Sequence, residues 1–285
     1  MYPSIPIGNS ELWFYNILMG IGLLAALLYL NRQIKLRRYY RHERALMLCI
    51  AAATLSGLVG GHLVEQLLQH RPLNLETMLY GGSTYLGGLL VGSLVLILGI
   101  QCTHQPLATL LCMLAPAVAL AHAFGRIGCF LGGCCYGAPA PGWLGVVYPV
   151  GSDAYVHCGA QPLYPTQLFE AALNFLLFWM MVRWTSFQFR PTVYFMGYGI
   201  GRFLVEFLRA DARGELLPGL SPSQWFSLLL ILVGLIWWRG VTRGWIKVVE
   251  VLPSTATQSP PTDGKERSEE RRVGKECRSR WSPYH

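Results

Sequence analysis

Seven apolar stretches, each about as long as a bilayer-spanning helix, constrain this chain more than any other feature. A hydrocarbon core of about 30 Å requires about 20 mostly apolar residues in a helix. Because lipid offers no hydrogen bonds, such stretches fold as helices that satisfy their own backbone groups. We therefore expect an all-α polytopic integral membrane protein with about seven transmembrane helices. The predicted spans are roughly 12–30, 46–68, 81–100, 107–131, 165–183, 192–210 and 222–238.

The charge content favours the same class. Asp, Glu, Lys and Arg make up 13% of the residues, against about 25% in soluble globular proteins. Charges concentrate in a basic patch near residues 32–46 and in a polar tail, and elsewhere they stand singly between apolar stretches. A disordered chain and a secreted disulfide scaffold are therefore excluded, and a soluble domain is disfavoured.

The polar tail is expected to lie outside the folded domain. We take residues 1–252 as the seven-span domain and residues 253–285 as a disordered tail. The segment 264–285 has no apolar period and resembles a vector-derived sequence, so we interpret it as a non-native scar. The alternative is a native cytoplasmic tail. Because acids are interspersed with the bases, neither interpretation indicates a nucleic-acid partner.

The positions of Lys and Arg predict the orientation, because cytoplasmic loops carry an excess of these residues. An N-terminus outside places eleven basic residues at the inner span ends and three at the outer ends. The long segment 132–165 contains neither Lys nor Arg. The split predicts an N-out, C-in chain. The inner residues are Arg32, Lys35, Arg37, Arg38, Arg41, Arg44, Arg183, Arg190, Arg239, Arg243 and Lys247, and the outer ones are Arg71, Arg209 and Arg213.

Five charged residues fall within or at the edges of the predicted spans. Each costs at least about 2.5 kcal/mol at the centre of a membrane helix, so such residues normally face a polar cavity and have partners. The alternative is a set of structural ion pairs that lock helices together. The residues are Glu65, Arg126, Glu170, Arg202 and Glu206.

Their spacing directs these charges to one region. Arg202 and Glu206 are four residues apart and share a helix face, which Arg209 continues. Glu170 and Arg126 lie near the outer ends of their spans in the N-out orientation. The charges therefore converge on the outer half of the bundle, at the depth of a lipid headgroup. Arginine suits a phosphodiester there, because its planar fork donates two parallel hydrogen bonds and stays ionised.

Five motifs lie between Leu12 and Asp211: GGSTYLGGLLVG, HAFGRIGCFLGGCCYG, WLGVVYP, YPTQLFE and YGIGRFLVEFLRAD. Their order and spacing resemble those of the prolipoprotein diacylglyceryl transferase family, seven-span enzymes of the bacterial inner membrane. The resemblance implies transfer of a diacylglyceryl group from phosphatidylglycerol to the lipobox cysteine thiol of a preprolipoprotein, with release of glycerol phosphate. It also implies an active site towards the outer leaflet. We expect no cofactor and no metal ion.

The resemblance also implies roles for individual residues. Arg126 matches the signature arginine, which is implicated in holding the headgroup, and Arg202 and Glu206 match the important pair of the sixth span. Gln167 and Glu170 match the polar pair of the fifth span, and Tyr15 lies near the first-span tyrosine. The expected catalytic residues are Arg126, Arg202, Glu206 and Glu170, and the expected substrate-binding residues are Tyr15, Tyr85, Gln167 and Arg209.

Five positions depart from the family pattern. Leu86 stands where the third-span motif has a histidine, and leucine cannot act as a base. Cys129 and Gly132 replace two asparagines, Cys134 replaces a glutamate, and Tyr164 replaces a histidine. The cysteine-bearing signature resembles a divergent branch of the family. Transfer of a diacylglyceryl group is thus supported as a class, while the acceptor and the base stay open.

The cysteines leave several alternatives. Cys129, Cys134, Cys135 and Cys158 lie at or beyond the predicted outer face, where oxidising conditions favour disulfides. A disulfide from Cys134 or Cys135 to Cys158, inert packing, and a metal or redox site are all open. The alternative functions are therefore a divergent paralogue with another acceptor, a non-catalytic lipid-binding protein, and a thiol-redox membrane protein.

Overall fold

In the computed structural model, the residues described are 4–7, 10–37, 43–68, 70, 72, 74, 85–103, 106–209 and 219–249. Two short strands, β1 (Ser4–Ile7) and β2 (Ser10–Trp13), form an antiparallel hairpin ahead of the first helix. Eight α-helices follow within these residues: α1 (Phe14–Leu36), α2 (Glu43–Leu68), α3 (Tyr85–Cys102), α4 (Leu107–Gly132), α5 (Asp153–Cys158), α6 (Thr166–Arg183), α7 (Arg190–Glu206) and α8 (Pro222–Thr242).

Seven of these helices coincide with the predicted spans, and the short α5 is the exception. By length and composition, four helices in the described part of the chain could cross a membrane. The all-α membrane class is confirmed, whereas seven crossings stay a prediction. The four are Phe14–Leu36, Arg44–Leu67, Leu107–Gly132 and Pro222–Thr242, and a shorter apolar helix covers Leu90–Cys102.

Helix α4 lies at the centre of the bundle, in contact with α1, α6 and α7. Helix α8 packs on α7, and α2 packs on α3. The α2–α3 contact is close because glycines meet there: a Cβ on Gly88 would lie 2.9 Å from the backbone oxygen of Gly57. One buried core joins α4, α6 and α7 and consists of Ala115, Ala119, Leu177, Met181, Tyr194 and Tyr198.

The segment between α4 and α6 folds back onto the end of α7. Gly137 forms an isolated antiparallel bridge with Arg209, and the Ala138 amide donates to the Leu208 carbonyl at 2.8 Å. Glycine is required at position 137, since a Cβ would lie 2.6 Å from that carbonyl oxygen. A small core of Tyr136, Tyr148, Ala154 and Leu163 fills the segment. These contacts join the end of the HAFGRIGCFLGGCCYG motif to the residues that follow Glu206.

The sixth predicted span is shorter than expected, because α7 ends at Glu206 and turns follow at 207 and 208. Arg209 therefore lies in the bridge rather than on the helical face predicted for it. The chain divides into two units, Met1–Val251 and Leu252–His285. The tail predicted at 253–285 lies outside the described residues, so its disorder and its origin stay predictions.

Candidate functional site

Glu170 is fully buried in the second turn of α6 and faces two arginines from other segments. Its Oε2 lies 2.9 Å from Nη2 of Arg126 on α4, and its Oε1 lies 3.7 Å from Nη1 of Arg209. Tyr198 of α7 donates its hydroxyl to Oε2 at 3.4 Å. Burying a carboxylate is costly unless it is paired, so these cations stabilise the charged form. One carboxylate thus ties α4, α6 and the end of α7 together.

A second ion pair lies along α7. Nη2 of Arg202 is 2.6 Å from Oε2 of Glu206, as the spacing of four residues predicts. Ser221, just before α8, donates to Oε1 of Glu206 at 2.7 Å, and Arg202 donates to Oγ of Ser223 at 2.9 Å. Nη1 of Arg202 is buried and has no hydrogen-bond partner among the described residues. This pair therefore retains an unused donor.

The two ion pairs belong to one electrostatic cluster. Arg209 is within electrostatic range of Glu206 as well as close to Glu170. His122 accepts a hydrogen bond from Nε of Arg126 at 3.2 Å and is also within range of Arg202. We call Arg126, Glu170, Arg202, Glu206 and Arg209 the charge cluster. Three arginines against two glutamates leave it positive, which suits a bound anion.

Gln167 and its neighbour Thr166 hold residues 134 and 135 in place through hydrogen bonds. The Gln167 amide nitrogen donates to the Cys134 carbonyl at 2.6 Å, and its oxygen accepts from the Tyr148 hydroxyl at 3.0 Å. Thr166 donates to the Cys135 carbonyl at 2.9 Å. Burial raises the pKa of Tyr148 to about 12, so this phenol stays a donor. In the described structure Gln167 is a positioning residue for the segment that follows Arg126.

Of the two tyrosines predicted to bind substrate, the structure describes the side chain of Tyr15 but not that of Tyr85. Tyr15 packs against Gly128 of α4 and lies within electrostatic range of Arg126, and its side chain is partly exposed. Tyr85 begins α3, but its side chain lies outside the described residues. Glu65 is half-buried on α2, which packs on α3. Substrate contacts for Tyr15 and Tyr85 stay predictions.

Four polar residues of the site were not predicted individually, although Tyr148 and Tyr198 lie within the WLGVVYP and YGIGRFLVEFLRAD motifs. Tyr198 contacts Glu170, while Ser221 and Ser223 contact the Arg202–Glu206 pair. Tyr148 anchors Gln167. A serine before a proline-led helix is a recognisable capping signal, so Ser221 could have been found at that level. The other three depend on the tertiary fold.

Three of the four cysteines that were predicted at the outer face lie close together, in a grouping different from the disulfide that was one of the alternatives. Among the described residues, Cys134, Cys135 and Cys158 form no disulfide, and Cys158 packs against the core of the 133–165 segment. Sγ atoms of Cys129, Cys134 and Cys135 instead lie within 4.8 Å of one another. Hydrogen bonds from the other two thiols lower the pKa of Cys135, whereas those contacts and burial raise the pKa of Cys134.

Comparison with known proteins identifies one family. Its profile, described as prolipoprotein diacylglyceryl transferase, matches residues 4–239. A phosphatidylglycerol–prolipoprotein diacylglyceryl transferase of Clostridium tetani is 31% identical over 236 residues, covering 79% of this chain and 91% of the relative. A second of that name, numbered 2, from Clostridium perfringens is 31% identical over 240 residues, with 81% and 91% covered. One from Bordetella avium is 29% identical over 250 residues, with 82% and 91% covered.

Proposed function

Because this chain belongs to the prolipoprotein diacylglyceryl transferase family, we propose that it moves the diacylglyceryl group of phosphatidylglycerol to a cysteine thiol in the lipobox of a preprolipoprotein. The chain is a transferase of lipoprotein biosynthesis, and its family consists of multi-pass membrane proteins. The observation that carries the assignment is the charge cluster, in which Arg126 of α4, Arg202 of α7 and Arg209 meet around Glu170 and Glu206.

The arginines are suited to the phosphate of the donor lipid. Arg126 is partly exposed beside the fully buried Glu170, so its guanidinium can reach a ligand while it stays paired. The Nη1 donor of Arg202 is buried and has no hydrogen-bond partner among the described residues, so a side-chain rearrangement that admits a phosphate oxygen would satisfy it. The cluster's excess positive charge favours the phosphodiester of phosphatidylglycerol over a neutral headgroup.

The reaction follows from the same groups. The acceptor sulfur attacks the terminal glyceryl carbon, a C–S bond forms, and the C–O bond to the phosphate breaks. Its electron pair leaves with glycerol phosphate, whose developing charge the arginines stabilise. Glu206 accepts the thiol proton, directly or through water, because its side chain retains 10% exposure whereas Glu170 has none.

The site is proposed to face the outer leaflet of the bacterial inner membrane. The N-out orientation rests on the excess of Lys and Arg at the inner span ends. In that orientation the outer ends of α4 and α7 bring Arg126 and Glu206 to headgroup depth. Phosphatidylglycerol would enter laterally from the bilayer, and the peptide would approach from outside.

Substitution of the two arginines tests the proposal. Purified Arg126→Ala and Arg202→Ala proteins should transfer labelled diacylglycerol to a lipobox peptide more slowly by about two orders of magnitude, the typical loss when one charge-stabilising donor is removed. Arg183→Ala is the matched control, because Arg183 is an exposed arginine at the other end of α6. Wild-type rates in both cluster variants would contradict the proposal, as would failure of the wild type to rescue a strain lacking its own transferase.

A further inference from the structure

Three thiols meet at the outer end of α4, beside the charge cluster. All Sγ–Sγ separations among Cys129, Cys134 and Cys135 are within 4.8 Å. Thiolates bound to zinc at about 2.3 Å in a tetrahedron are separated by roughly 3.8 Å. Side-chain adjustments of about an ångström would therefore convert this cluster into a three-thiolate site. Among the described residues, no fourth ligand side chain belongs to the group.

The backbone builds this cluster. Gly133 ends α4 in a left-handed conformation, which turns the chain back so that the Cys134 amide donates to the Cys129 carbonyl at 3.2 Å. Cys135 also has a left-handed φ of 60°, which is uncommon for a residue with a side chain. The carbonyls of Cys134 and Cys135 are held by Gln167 and Thr166. The turn at Gly133 and these hydrogen bonds therefore hold the three sulfur atoms close together.

The surrounding charge fits an occupied thiolate site. Cys135 lies within electrostatic range of Arg126 and Arg209, and Cys129 within range of Arg126. Three thiolates and one divalent ion carry a net charge of −1, and Arg126 and Arg209 are cations close to that charge. All three cysteines are only partly buried, so a further ligand has access to the group.

We propose that Cys129, Cys134 and Cys135 bind one zinc ion as thiolates and leave its fourth position to the acceptor thiol. This inference rests on the proposed function, and it replaces the sequence-based expectation of no metal. Zinc deprotonates a thiol that coordinates it. The acceptor thiol gives its proton to Glu206 or water as it binds, and its sulfur then attacks the glyceryl carbon. The C–O electron pair leaves with glycerol phosphate, so no oxidant or reductant is needed.

Metal content tests the site itself. The full chain, purified in detergent under reducing conditions without a histidine tag, should retain about one zinc ion per chain after dialysis. Cys129→Ser, Cys134→Ser and Cys135→Ser should retain almost none, whereas the matched controls Cys158→Ser and Cys277→Ser should retain the wild-type amount. Cobalt loading should give thiolate-to-cobalt charge-transfer absorption, which all three site variants lose. A reduced wild type with no bound zinc, or a disulfide between two of the three in protein isolated from cells, would overturn the site.

A second measurement tests the fourth position. Adding a lipobox peptide to the cobalt-loaded protein should change the visible cobalt absorption, and the same peptide with serine in place of cysteine should not. An unchanged spectrum with bound metal would overturn the acceptor role. Arg126→Ala should keep the metal and transfer lipid about two orders of magnitude more slowly. A wild type that binds zinc and cobalt but transfers no lipid would overturn the proposed function, while the metal site itself would stand.

Discussion

Glu170 illustrates how a single buried carboxylate connects three segments of the chain. It has no exposed side-chain surface, yet Arg126, Arg209 and Tyr198 approach its two oxygens. Removing one partner of a buried pair typically costs about 3–5 kcal/mol, because the other charge stays buried and uncompensated. The residue therefore combines a structural role with control over where the arginine side chains point.

Glu170→Gln should remove the charge without changing the size of the side chain. We expect a fall in transfer rate of at least about tenfold and a lower melting temperature, because Arg126 and Arg209 lose their counter-ion. Transfer rate and thermal unfolding in one detergent provide the measurement. Asp153→Asn serves as the control, since Asp153 is an exposed acid paired with His157 at 3.3 Å. A Glu170→Gln protein with wild-type rate and stability would argue against the charge cluster.

A substitution at Gln167 distinguishes two roles for this residue. The family resemblance implies substrate binding, whereas its hydrogen bond implies positioning of the Cys134 carbonyl. Gln167→Ala removes two hydrogen bonds of a fully buried side chain, and we expect it to destabilise the protein by about 1–3 kcal/mol. Since the amide positions the Cys134 carbonyl, kcat should fall while KM for phosphatidylglycerol changes little. Kinetics at several lipid concentrations, together with thermal unfolding, measure both. A rise in KM at unchanged stability would instead indicate direct contact with the lipid.

At the scale of the helices, the apolar pattern predicted all seven long elements, and their boundaries agree to within a few residues for most. The agreement has a physical cause: in lipid the hydrophobic length of a stretch decides both its conformation and its extent. The pattern carries no information where the chain leaves the apolar run. The hairpin at 4–13, helix α5 and the early end of α7 at Glu206 were therefore not predicted.

The sequence predicted which residues form the charge cluster, but it predicted only some of the contacts between them. Isolated charges inside apolar stretches stand out, and the Arg202–Glu206 pair follows from helical spacing. The contact between Arg126 and Glu170 depends on how α4 packs against α6, which no local pattern specifies. The cysteine cluster depends on the reversal at Gly133, which brings Cys134 back to Cys129. A Gly-Gly pair after a helix can signal that reversal.

Ser221 links the start of α8 to the charge cluster. Its side chain caps the helix through the Gln224 amide, in a capping box, and also donates to Glu206. Ser221→Ala should cost about 1 kcal/mol of stability from the lost cap and should also lower the transfer rate. Ser186→Ala is the control, because Ser186 precedes a short 3₁₀ helix without a side-chain capping bond. Equal effects of the two changes in unfolding and transfer measurements would rule out a special role for Ser221.

For the molecule as a whole, the decisive quantity is the number of membrane crossings. Among the described residues, four helices are long and apolar enough to cross a membrane. Helices α3, α6 and α7 are shorter or carry more polar residues. Those same polar residues include Glu170, Arg202 and Glu206, which pack inside the bundle rather than against lipid. Helices that cross while facing protein need less apolar surface. The site itself thus explains why part of the bundle has a weak membrane signal.

The location of segment 133–165 distinguishes the two counts. If all seven long helices cross from an N-terminus outside, this segment lies outside and the end of α8 lies inside. If only α1, α2, α4 and α8 cross, the two locations are reversed. Alkaline phosphatase, which folds only outside, should therefore be active when inserted after the exposed Gly142. Green fluorescent protein fused after Val249 should fluoresce. The opposite pair of results would favour four crossings and would place the charge cluster on the cytoplasmic side, away from an outer-leaflet donor.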